Sequence, residues 1–208
     1  MTGAFLAGLV AGYGVAIPVG AIAILILGLS ARTSFRVGAA AALGVATADG
    51  LYAAVAALGG AAVASGLAPF AGPLRLIAAG VLLALAGLTA WRALRPPATT
   101  QQPSARGGLD TPVRAFAAVL ALTLLNPATV VYFVALVLGR GDVLGSAPVR
   151  AAAFTAGVFL ASASWQLLIA GGGSLIGRAL TGPRGRRVTA LLSSVIIAAL
   201  AVATVLGV

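Results

Sequence analysis

The sequence predicts an all-α membrane protein of six transmembrane helices, arranged as two inverted three-helix repeats. Three observations carry this expectation. Hydrophobic residues make up 61% of the 208 positions and charged ones only 8%, with a mean hydropathy of +1.14. Soluble domains carry roughly 25% charged residues, so this chain cannot cover itself with a hydrated surface and its solvent is lipid. Apolar residues run continuously, without the alternation that a membrane β-barrel strand requires. The two halves of the chain carry similar landmarks in the same order.

Six apolar runs cover residues 4–29, 37–59, 69–90, 113–138, 148–170 and 188–206. Each is long enough for a hydrocarbon core that takes about 20 helical residues to cross. The first run has no basic residue before it and no short apolar segment ending in a cleavage site, so a removable signal peptide is not expected. The longest polar connection, rich in Pro, Gly, Thr and Gln, separates the third run from the fourth. It reads as a linker over 94–112 between a first repeat, 1–93, and a second, 113–208.

All 13 basic residues are arginine, against three acidic residues, for a net charge of +10. In a soluble protein that balance would suggest nucleic acid. Here the arginines sit at the ends of apolar runs, where the positive-inside rule accounts for them. With both termini outside, the cytoplasmic side holds Arg32, Arg36, Arg92, Arg95, Arg106, Arg114, Arg178, Arg184, Arg186 and Arg187. The opposite side holds Arg75, Arg140 and Arg150. The chain is thus expected in a bacterial inner membrane, with the linker cytoplasmic. It has no Cys and no His, which excludes disulfides, thiol chemistry and Cys/His metal sites.

Pro18 and Pro127 lie at comparable depths in the first and fourth runs. Gly44-Val45 returns 113 residues later as Gly157-Val158, and the same offset pairs Ala48 with Ala161, Tyr52 with Trp165 and Gly59-Gly60 with Gly172-Gly173. Copies with an odd number of helices insert in opposite orientations, an architecture of transporters with a site between the halves. Small residues also recur every four positions: Gly8, Gly12, Ala16 and Gly20 in the first run, and Gly38, Ala42, Ala46, Gly50 and Ala54 in the second. Such faces let membrane helices approach closely, although an alanine-rich chain produces the spacing by chance as well.

Asp49 is the one acidic residue expected inside an apolar run, because Asp110 and Asp142 fall in polar loops. A carboxylate in hydrocarbon costs a few kcal/mol at least, and such residues usually face a cavity or a partner. The competing reading is a neutral Asp hydrogen-bonded across a helix contact. A proline in a helix frees the carbonyl four residues back, which is Gly14 for Pro18 and Thr123 for Pro127. Gly14 and Gly20 flank the first break, and Asn126 adds an amide to the second. An open carbonyl and Asp49 would attract an ammonium group, Na⁺ or a proton, while half-helix N-termini would attract a carboxylate. Tyr52 follows Asp49 by about one turn, and in the other half Ser162 takes the Asp49 place, followed by Trp165 and Gln166. Core packing is the competing reading for Tyr52 and Trp165.

Ile17-Pro18-Val19-Gly20-Ala21, Gly44-Val45-Ala46-Thr47-Ala48-Asp49-Gly50-Leu51-Tyr52 and Leu125-Asn126-Pro127-Ala128 together resemble the LysE family of amino-acid exporters. The resemblance covers nearly the whole chain. Family members often carry a second proline or a Gly-Pro pair in the first motif, where this chain has Val19-Gly20-Ala21. The resemblance implies efflux of a basic or neutral amino acid, or a similar small metabolite, driven by an ion gradient or the membrane potential. The expected partners are that substrate, a coupling proton or sodium ion and the lipid bilayer, without nucleic acid or cofactor; a homodimer stays open. An inorganic-ion permease of the same fold is the alternative, although one carboxylate is a thin site for a divalent ion. An enzyme is not expected, because no nucleophile–base pair or metal cluster is seen.

Overall fold

The computed structural model describes residues 1–18, 21–67, 71–94, 108–144, 147–172 and 183–206. Among these, every regular element is a helix: α1 (Thr2–Ala16), α2 (Ala21–Arg32), α3 (Phe35–Leu67), α4 (Ala71–Leu94), α5 (Pro112–Leu124), α6 (Pro127–Leu144), α7 (Pro148–Gly171) and α8 (Pro183–Leu206). Proline opens α5 and α7 after an extended residue, Thr111 and Ala147 respectively. The first helical position has no intrahelical acceptor for its N–H, so proline loses nothing there and its fixed φ suits the helix.

The first and fourth apolar runs are broken where the two prolines predict it. α1 and α2 meet at 82°, and α5 meets the first part of α6, Ala128–Leu136, at 62°. α3 and α7 contain unbroken stretches long and apolar enough to cross a membrane, Phe35–Gly59 and Pro148–Gly171. Each bent pair adds one further candidate if it counts as a single span. α4 and α8 carry shorter apolar stretches, Leu76–Leu88 and Arg187–Val202. A helical membrane protein is therefore supported by length and composition, with two to four candidate spans. Large apolar side chains stand exposed along α3, α4 and α8, among them Val55, Leu58, Leu76 and Val195. Such faces are stable in lipid, where leaving them uncovered costs nothing. Two expectations shift: α3 runs on to Leu67, and Asp142 lies within α6 rather than in a loop. Most of the polar linker, residues 95–107, lies outside the described residues.

α3 packs on α7, α1 on α7, α5 on α3, and α4 on α8. Glycine allows the closest of these approaches. A Cβ on Gly157 would collide with the Phe5 carbonyl and come within 2.9 Å of the Leu9 nitrogen of α1. A Cβ on Gly44 would come within 2.6 Å of the Phe116 carbonyl and 3.1 Å of the Leu120 nitrogen of α5. On α1, a Cβ on Gly12 would lie 2.7 Å from the Val158 carbonyl, and one on Gly8 would collide with Phe154. The expected small face of α1 is thus used. On α3 the expected 38/42/46/50/54 series is used at Gly38, where a Cβ would collide with Ser30 of α2. The contact with the α5 backbone falls on Gly44, outside the series, and Gly50 only touches the Phe159 ring.

Apolar side chains gather in two clusters. One includes Ala53, Leu82, Tyr132, Phe133, Phe154, Val158 and Leu200. The other includes Ile26, Leu29, Ala41, Val45, Val119 and Ile169. Along α3 the second cluster ends at Val45 and the first begins at Ala53; along α7 the first ends at Val158 and the second begins with Ile169. The buried polar residues Asp49, Ser162 and Gln166 fall between them.

Candidate functional site

Asp49 is 2% exposed and Ser162 is fully buried, and the Ser162 hydroxyl donates to Asp49 Oδ2 at 2.7 Å. The residue in the Asp49 place of the second half is therefore its direct partner, across the α3–α7 contact. Asp49 is thus hydrogen-bonded across a helix contact, and it also lies on the wall of a cavity. That cavity has a volume of about 440 Å³, within the roughly 300–1,000 Å³ usual for small-molecule sites.

Both helix breaks border this space. Val15, Ala16 and Pro18 line it from the end of α1, and Ala21, Ile22, Ala23 and Leu25 from the start of α2. Leu122, Thr123 and Asn126 come from the end of α5, and Thr129 from the first turn of α6. Val45 and Asp49 contribute from α3 and Gln166 from α7. Polar groups are few, and each helix end that supplies one has a local reason for its geometry. α5 stops because Pro127 has no N–H to offer the Thr123 carbonyl, which accepts the Asn126 N–H at 3.1 Å instead. Asn126 then caps α6, its Oδ1 accepting the Ala128 N–H at 3.1 Å. The Thr123 hydroxyl donates to the Val119 carbonyl at 2.8 Å.

The carbonyl of Gly14, expected to be open, is engaged: the buried Ser193 hydroxyl of α8 donates to it at 2.8 Å. One turn back, the Tyr132 hydroxyl donates to the Ala11 carbonyl at 2.9 Å. The broken end of α1 is thus held by hydroxyls from α6 and α8, and Gly14 does not line the cavity. This follows from the general cost of leaving a buried carbonyl unpaired, on the order of 1–3 kcal/mol.

Of the other expected residues, Tyr52 turns away from the cavity. Its hydroxyl donates to the Leu124 carbonyl and its ring stacks on Phe133, with centroids 5.7 Å apart. Trp165 packs against the second apolar cluster, and its buried Nε1 has no hydrogen-bond partner among the described residues. Gln166 is 5% exposed, lines the cavity and holds a buried Oε1 that likewise has no partner there. Gly20 and the Pro127 side chain lie outside the described residues.

Sequence reasoning missed several wall residues. Thr129 is 5% exposed on the cavity, three residues after the Asn126 cap, and its place at the start of α6 was readable from the Asn-Pro motif. Ile22, Leu25 and Leu122 carried no signal, because one aliphatic residue in an apolar run looks like any other, and Val45 stood out only as part of the repeat and the motif around Asp49. Ser193 was silent for the same reason, as a small polar residue without a charged neighbour.

Among the described residues no three His, Cys, Asp or Glu side chains gather as a metal site. The family model described as LysE type translocator matches residues 14–207 of the chain. No curated protein and no solved structure shows significant similarity to it.

Proposed function

The chain belongs to the LysE type translocator family, and from that premise we propose that it is a secondary transporter exporting amino acids or similar small metabolites across the inner membrane by alternating access. The observation that carries this reading is the buried Asp49 on the wall of a cavity bordered by both helix breaks. A carboxylate kept among apolar clusters is costly unless it has work or a partner. Here it has the Ser162 hydroxyl and an open space of substrate size.

In this reading, residues 1–93 and 113–208 are inverted three-helix repeats joined by a cytoplasmic linker at 94–112, with both termini outside. The paired close approaches support it. Gly44 meets the stretch from Phe116 to Leu120, and Gly157, its counterpart, meets that from Phe5 to Leu9. The two crossings are equivalent under exchange of the halves. Each broken span then offers the site a helix start, and α3 and α7, packed on each other, add Asp49 and Gln166.

The transport cycle needs a group that binds differently in its two charge states. Asp49 as a carboxylate attracts the ammonium group of an amino acid; as the acid it does not. With the cavity open to the outside, an arriving proton neutralises Asp49 and the substrate leaves to that same side. Rocking of one repeat against the other then turns the protonated site to the cytoplasm, where the proton leaves and substrate binds. Sodium is the alternative coupling ion, competing with the ammonium for the same oxygens. The test is a panel of labelled amino acids in proteoliposomes containing the purified protein, under imposed pH, sodium and voltage gradients. Gradient-driven movement of at least one is expected. A protein that inserts and melts cooperatively but moves none under any gradient sinks the reading.

A further inference from the structure

Resting on that reading, we propose that the cavity selects a neutral amino acid with an apolar side chain over a dibasic one, and that Gln166 is the residue that completes the ammonium side of the site. The first ground is Gln166 itself. It is 5% exposed, it lines the same cavity as Asp49, and its Oε1 is buried with no hydrogen-bond partner among the described residues. A buried acceptor without a donor is costly, and a bound ammonium has three N–H groups to offer. Asp49 and Gln166 come from α3 and α7, so one ammonium between them ties these two helices together.

The second ground is the supply of negative charge. The whole chain holds three acidic residues, and among the described residues Asp49 is the one on this wall. A substrate with one ammonium group uses that charge fully. A dibasic substrate brings a second cation, which would face Ile22, Leu25, Val45 and Leu122. An unpaired cation against an apolar wall is strongly disfavoured. The neutral polar groups nearby, the Thr123 and Thr129 hydroxyls and the Asn126 amide, supply no charge to balance it, and Asn126 Oδ1 already accepts from Ala128.

The substrate carboxylate has its own place. Ala21, Ile22 and Ala23, the first turn of the twelve-residue helix α2, lie on the wall. N–H groups of a first turn lack intrahelical acceptors and carry the positive end of the helix dipole. A zwitterion therefore spans from Asp49 and Gln166 to the start of α2, and its side chain occupies the aliphatic wall between.

The experiment compares leucine and lysine in proteoliposomes, for the wild type and for Gln166→Leu and Gln166→Glu. The wild type is expected to move leucine with a kcat/KM at least about tenfold above that for lysine, equivalent to about 1.4 kcal/mol. Gln166→Leu should raise KM for leucine by about tenfold with a smaller change in kcat. Gln166→Glu adds a second carboxylate and should narrow or reverse the preference, which a merely structural side chain would not do. A wild type that prefers lysine overturns this inference and leaves the exporter reading standing. Transport of neither overturns this inference, while the exporter reading falls only if the whole panel of amino acids also fails to move. Unchanged KM and preference in both variants removes Gln166 from the site. Should Gln166→Leu fail to fold, the wild-type preference and the Gln166→Glu response still decide.

Discussion

Replacing Asp49 with asparagine removes the charge and the titration while keeping the shape and one acceptor oxygen. The Ser162 hydroxyl donates to Asp49 Oδ2 at 2.7 Å, and both residues are buried. A bond to a charged group contributes about 1.5–3 kcal/mol and a neutral one about 0.5–1.5. The variant thus loses about 1 kcal/mol of that bond and no longer buries an ionisable group, which offsets the loss. We expect Asp49→Asn to insert and to melt within a few degrees of the wild type. Transport is a different matter. Breaking a buried ammonium–carboxylate pair costs about 3–5 kcal/mol, and the retained hydrogen bond returns part of it. At 1.4 kcal/mol per tenfold, substrate affinity should fall by about two orders of magnitude. Initial rates in proteoliposomes, measured over a range of pH, should be low and flat. Ser162→Ala separates bonding from charge: it should cost about 1–3 kcal/mol in the wild type and about 1 in the Asp49→Asn background, a difference readable by denaturant titration in detergent. If Asp49→Asn exports at the wild-type rate with the same pH profile, the carboxylate is structural and the coupling argument is wrong.

Other expectations follow from the packing and topology. Gly157→Ala places a methyl against the Phe5 carbonyl and should cost about 1–3 kcal/mol, whereas Gly87→Ala meets nothing within 4 Å and should gain about 0.5–1 kcal/mol of helix preference; equal melting temperatures would refute the contact. Tyr52→Phe strands the Leu124 carbonyl and should destabilise by about 1–3 kcal/mol, while Trp165→Phe removes a buried N–H without a partner among the described residues and should cost less; calorimetry of the two variants shows whether that order holds. Cysteine introduced at Thr100, in the linker, should resist an impermeant thiol reagent in intact cells, and rapid labelling from outside would invert the orientation drawn from the arginines.

Composition and local backbone chemistry were enough to determine the class of this protein and where its helices break. A chain with 8% charged residues has no soluble option, and a proline removes an N–H whatever surrounds it, so the interruptions at Pro18 and Pro127 were legible from single residues. Asp49 was legible because a carboxylate in an apolar run is rare enough to need a reason. The partners were decided elsewhere. That Ser193 closes the Gly14 carbonyl, that Tyr52 turns to Leu124, that Gly44 meets the α5 backbone, and that Ile22 and Thr129 reach the cavity all depend on how each helix is rotated about its axis. Periodicity fixes that rotation when polar and apolar residues take opposite faces. In α3, where alanine and glycine populate every face, the pattern is nearly uniform and close packing against another backbone chooses the angle.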